Sequence, residues 1–153
     1  MKHKFFENAE ILLYYDVNKE KWYIKNKAKI IDYDLSLSDN LSSFLQIFYE
    51  DPSSFFSNLP EKAKGKDIRE KALESLPFKT SIIFCIRNKM FFWLELSLKW
   101  LEYINVDDEL EKELKIVVAD PKFPQNIRHK LRKLLRTLVR RQGGNNPAVG
   151  GGY

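Results

Sequence analysis

Residues 10–31 read EILLYYDVNKEKWYIKNKAKII, and how far their strand pattern extends decides the class of the fold. Ile11, Leu12, Leu13, Tyr14 and Tyr15 form an apolar run, closed by the turn-forming Asp16-Val17-Asn18-Lys19-Glu20. Beyond it, Lys21, Tyr23, Lys25, Lys27 and Lys29 share one phase, while Trp22, Ile24, Ala28 and Ile30 share the other. Period-two alternation of this kind marks a strand with one buried face. The segment predicts a small β-hairpin over residues 10–31, the only strand-forming region that the pattern picks out. Its lysine row also discourages pairing of an exposed sheet edge with other chains.

From residue 38 to residue 141 the apolar spacing turns helical. Ser38 or Asp39 is placed to cap a helix through Leu41, Phe44, Leu45 and Phe48, which Asp51-Pro52 ends. Asp67 and Glu70 form a capping-box pattern ahead of Ile68, Ala72, Leu73 and Leu76. Residues 79–104 read as two helices with a break near Arg87-Asn88-Lys89, with one bent helix as the alternative, and the second piece is apolar on most sides. A helix of that kind needs enclosure by others, which places it at the centre of a bundle. Asp108 and Glu111 supply another capping box, for a helix carrying Leu110, Leu114, Val117 and Val118 and closed by Asp120-Pro121. Phe123-Pro124 opens the last helix, to about Arg141. These antiparallel helix pairs, over residues 67–141, resemble the build of HEAT-like helical repeats. The expected fold is mainly α: a compact helical bundle with a small N-terminal β-hairpin.

The chain has 153 residues, 44% of them hydrophobic and 31% charged. At that size a folded chain buries roughly 68–70% of its unfolded surface and needs neither disulfide nor metal to hold it together. One globular domain over residues 1–142 is expected. Residues 143–153, GGNNPAVGGGY, follow as a flexible Gly-rich tail, too poor in apolar surface to offset its ordering entropy. The longest apolar region is interrupted by charges, so no integral membrane association is expected. Phe5-Phe6 is too short an apolar stretch for a secretory signal, and the expected compartment is the cytoplasm.

Charge is concentrated at the C-terminal end. After Asp120 there are eight Lys/Arg and no acid, against a formal net charge of +5 for the whole chain. In the last helix Ile127, Leu131, Leu134, Leu135 and Leu138 fall within about 100° of arc, with His129, Arg132, Lys133, Arg136 and Arg140 opposite. Phosphates favour a cationic face because each Arg or Lys contact releases condensed counterions. Arg128, Lys130, Arg132, Lys133, Arg136, Arg140 and Arg141 are therefore the candidate anion- or nucleic-acid-binding residues. A solvated helix face whose late cations complement the helix dipole accounts for the same pattern. Lys21, Trp22, Tyr23, Lys25 and Lys27 form a possible second contact, through charge and base stacking.

Catalytic chemistry finds no constellation. Cys85 sits in the apolar run Ile82-Ile83-Phe84-Cys85-Ile86, where a thiol is hidden and its pKa raised. His3 and His129 have no metal-ligand neighbours at suitable spacing, and neither a metal nor another cofactor is expected. The sequence thus predicts a non-catalytic interaction module: a protein-binding adaptor or subunit of a larger complex. Phe91, Phe92, Trp93 and Trp100 are its candidate protein interface. The alternative is nucleic-acid binding through the basic C-terminal helix.

Overall fold

The computed structural model describes residues 2–57 and 74–145. The chain divides into two compact units, Met1–Ser81 and Ile82–Tyr153. The expectation of a mainly α bundle with one hairpin is corrected to a mixed fold, in which helices accompany a four-stranded antiparallel sheet. Its strands, β1 (Lys2–Glu7), β2 (Ile11–Asp16), β3 (Lys21–Asn26) and β4 (Ile31–Asp34), lie in sequence order, so the sheet is a meander.

Both outer strands have a physical reason to escape a periodicity reading. In β1 the pairing with β2 shifts between Lys4 and Phe6. A bulge there breaks the period of two, which is why Phe5 and Phe6 stand side by side in the sequence. In β4 two of the four residues are aspartates, a type depleted in strands.

The meander is punctuated by side chains that take over turn hydrogen bonds. Asn8 Oδ1 accepts the N–H groups of Glu10 and Ile11, both at 2.8 Å. Asp16 accepts from Asn18 at 3.0 Å and Lys19 at 3.2 Å, Asn26 from Lys29 at 3.0 Å, and Asp34 from Ser36 at 2.9 Å. Two turns close on a residue in the left-handed region, Glu20 at φ 54° and Ile30 at φ 55°. A β-branched residue is disfavoured there, since its side chain crowds the backbone.

Register separates the faces of the sheet. Leu13 opposes Ile24, and Tyr15 opposes Trp22; all four are buried in the core of the first unit. Trp22 meets Phe5 edge-on at 4.6 Å, and its indole N–H donates to Ser75 Oγ at 2.9 Å. Helices α1 (Leu41–Phe44) and α2 (Pro52–Ser57), with 3-10 turns at Ser38–Asn40 and Leu45–Tyr49, bring Phe44, Phe48 and Phe55 around Phe78 at 5.2, 6.4 and 6.3 Å. The expected Ser38 or Asp39 cap does not form: the first turn follows Leu37 with no side-chain cap bond. The Asp67/Glu70 box lies outside the described residues.

Helix α3 (Phe78–Arg87) carries the boundary between the units and stops where the sequence indicated. Lys89, at φ 52°, donates to Ile86 O and Met90 donates to Cys85 O, the paired bonds of a left-handed helix end. In the second unit, α4 (Phe91–Ser97), a 3-10 turn at Leu98–Trp100, α5 (Asp108–Ala119) and α6 (Gln125–Asn145) follow. Leu94, Leu101, Leu110, Leu114 and Val117 are fully buried, with Ile127 and Leu131 of α6 beside them in the core of this unit. The segment expected at the centre of a bundle is not enclosed on all sides: Phe92 is 57% and Tyr103 48% exposed. The cap of α5 is Asp107, one residue before the expected Asp108, and it accepts from Leu110 N–H at 2.9 Å. Helix α6 continues through Gly143 and Gly144 to Asn145, past the expected boundary at Gln142, and residues 146–153 of the expected tail lie outside the described residues.

Candidate nucleic-acid interface

Helix α6 begins after a tight connection. Lys122 N–H donates to Asp120 Oδ1 at 2.9 Å, Phe123 N–H reaches Asp120 O at 3.1 Å, and Phe123 is buried against Phe91 at 5.5 Å. That anchor fixes where the helix starts, and the stripe Ile127, Leu131, Leu135 and Leu138, all buried, fixes its rotation. The remaining arc must then face solvent. His129, Arg132, Lys133 and Arg136 are exposed on it.

Three acids of this unit have cationic partners. Glu113 pairs with Arg87 at 2.6 Å, and Glu111 approaches Lys115 at 3.9 Å. Glu95 takes Lys130 on one oxygen at 2.7 Å and Asn126 on the other at 3.1 Å. The Lys130 ammonium, by hydrogen bond and charge, outweighs partial burial and holds the Glu95 carboxyl below its ordinary value. Arg128 Nε donates to Phe123 O at 3.0 Å. Arg132, Lys133 and Arg136 form no ion pair among the described residues. The side chains of Arg140 and Arg141 fall outside the described residues.

The hairpin lysines stand differently. Lys21 is bound to Asp34 at 3.1 Å, and Lys27 to Glu7 at 2.6 Å while also donating to Asn8 O. Lys25 lies opposite Asp32 in the β3–β4 register. Tyr23 is stacked on Tyr14 at 5.3 Å, with Lys19 over its ring at 5.8 Å. Burial, and then Asp32, push the Tyr14 phenol up to about 12. Trp22 points into the core, so no indole is presented for stacking.

The aromatic candidates are also separated. Trp100 is fully buried, Phe91 and Trp93 are half-buried, and only Phe92 of the four is exposed. Burial pushes the Cys85 thiol up to about 12, far from thiolate character at neutral pH. Among the described residues, no cluster of His, Cys, Asp or Glu is arranged to hold a metal, and no helix is long and apolar enough to cross a membrane. The fold and this face define a mixed α/β chain with a cationic terminal helix. Compared with family models, curated proteins and solved structures, the chain matches none.

Proposed function

We propose that this protein is a non-catalytic interaction module that grips the phosphate backbone of a nucleic acid through the exposed face of α6, in the cytoplasm. The observation that carries the reading is the absence of ion pairs, among the described residues, at Arg132, Lys133 and Arg136 on one helix face. Cations already neutralised by neighbours release few counterions on binding, whereas unpaired ones keep their full attraction for phosphate. Arg also offers a planar fork that takes two phosphate oxygens at once. An affinity in the range of roughly 10⁻⁴ to 10⁻⁶ M, indifferent to base sequence, is expected of such a contact.

The test is fluorescence anisotropy with a labelled mixed-sequence duplex at low salt. The Arg132→Glu/Arg136→Glu variant, whose substitutions are on the surface, should lose at least about tenfold in affinity with unchanged melting temperature. Equal binding by the variant, or binding only to an acidic polypeptide, overturns the reading. A second reading, a protein-binding adaptor or subunit, draws support from Phe92, which is 57% exposed. On that reading Phe92→Ser weakens partner capture and leaves duplex binding unchanged.

A further inference from the structure

A second surface lies in the first unit, and no residue of α6 is among those that line it. Strand β1 is an outer strand of the sheet, with no further strand beside it among the described residues. Along residues 4–9 runs an open cleft of about 660 Å³, closed on its other side by Glu50, Asp51, Ser54 and Phe55 at the start of α2. That size falls in the usual range for ligand pockets, about 300–1,000 Å³. Phe6 and Phe55, 5.8 Å apart, give it an apolar floor.

Its charge is opposite to that of the chain. Lys4 is committed to Glu7 at 3.3 Å, and Glu7 also holds Lys27 at 2.6 Å, with its carboxyl kept below the ordinary value by Lys27 first and Lys4 second. Glu50 forms no ion pair among the described residues, and Asp51 uses one oxygen to accept Ser54 N–H at 2.9 Å. At the α2 end the cleft thus carries negative charge that no cation among the described residues pairs with, in a protein of net charge +5.

We infer that this cleft captures a short extended segment of a partner protein, which adds to β1 as a fifth strand and places a Lys or Arg against Glu50 and Asp51. Addition to a sheet edge draws affinity from main-chain hydrogen bonds and specificity from alternate side chains. Here one alternation meets Phe6 and Phe55 and requires apolar residues, while the acidic end requires a cation. The bulge between Lys4 and Phe6 interrupts the edge, so a long regular strand from a second copy finds no continuous ladder. The stretch from Phe6 to Glu7 offers room for a short peptide only, because beyond it Asn8 donates its N–H to Ile11 O at 3.0 Å and its carbonyl accepts Lys27 Nζ at 2.6 Å.

The experiment uses the full chain and a fluorescein-labelled octapeptide of alternating valine and lysine, with its valine–glutamate counterpart and a version N-methylated on alternate amides. The cationic peptide should bind saturably and shift the backbone amide resonances of residues 6–9. Glu50→Gln/Asp51→Asn, which keeps a capping side chain on α2, should weaken it by about tenfold. N-methylation should abolish binding, and Arg132→Glu/Arg136→Glu should leave it unchanged, which separates this site from the α6 face. Absence of binding, equal binding of the glutamate or N-methylated peptide, or resonance shifts confined elsewhere would overturn the inference. So would shifts at residues 6–9 that depend on protein concentration without peptide, because a second copy would then occupy the edge.

Discussion

The sheet and the last helix each carry a row of cations that looks alike in one dimension, yet they differ in what the fold sets beside them. Along β3, Lys21 is held by Asp34 and Lys25 lies opposite Asp32, both aspartates being supplied by β4. Along α6, only Lys130 has a carboxylate partner among the described residues. The lesson is that a charge row becomes a binding surface only where topology withholds the matching acids. In α6 the absence of any Asp or Glu after Asp120 does so locally. In the sheet, register does the opposite.

Both regions rest on buried apolar contacts, and the largest expected effects lie there. Trp22→Ala should cost about 3–5 kcal/mol, and Leu131→Ala about 2–5 kcal/mol, in urea unfolding. A loss below about 1 kcal/mol at either position would mean that the register or the helix rotation described here is wrong. Next in size is an attempt to erase the difference between the two rows. Asp32→Asn/Asp34→Asn removes the acids of β4 while the amide oxygen introduced at position 34 can still serve the turn. It should raise duplex affinity about threefold to tenfold at low salt by releasing Lys21 and removing the carboxylate opposite Lys25. Unchanged affinity would show that the sheet lysines are kept from phosphate by something other than their partners.

Two left-handed residues sharpen the contrast at the backbone. Ile30→Gly in the β3–β4 turn and Lys89→Gly at the end of α3 should each raise stability by up to about 1 kcal/mol, since only glycine adopts that conformation without crowding. Ile30 should gain more, because it is β-branched and its side chain is 78% exposed, with little packing to lose. Destabilisation by Ile30→Gly would assign that side chain a contact. The smallest effect is electrostatic. Because Lys130 depresses the Glu95 carboxyl, the pair stabilises the fold fully above the unfolded Glu value of about 4.3 and loses that contribution as pH falls through the lower folded value. In Lys130→Ala, carboxyl NMR titration should find Glu95 shifted upward, and no shift would show that Asn126 alone sets it.

How much of this was legible follows from the same physics. The β2–turn–β3 pattern, the break at Lys89 and the leucine stripe of α6 can be read directly, because each is a local periodicity with a clear stop. Strand β1 is hidden by its bulge, and β4 by its aspartates. A signal was nevertheless present: Asn8, Asp16, Asn26 and Asp34 each end or follow a strand and bond to the turn beyond it. Their recurrence every eight to ten residues is the spacing of a meander. Asp107 takes the cap expected of Asp108 because adjacent acids compete for one geometry, and the choice is settled by which residue keeps Leu110 on the buried face. The cleft beside β1 joins residues 4–9 to residues 50–55, and no local pattern announces such a pairing.

The most direct measurement is duplex affinity as a function of salt for the native chain and for Arg132→Glu/Arg136→Glu. Three cations without ion pairs among the described residues predict a slope of about −2.7 in log K against log salt for the native protein, and Lys133 alone predicts a slope of about −0.9, with weaker binding, for the variant. Superimposable lines for the two proteins, or a native slope near zero, would contradict the account.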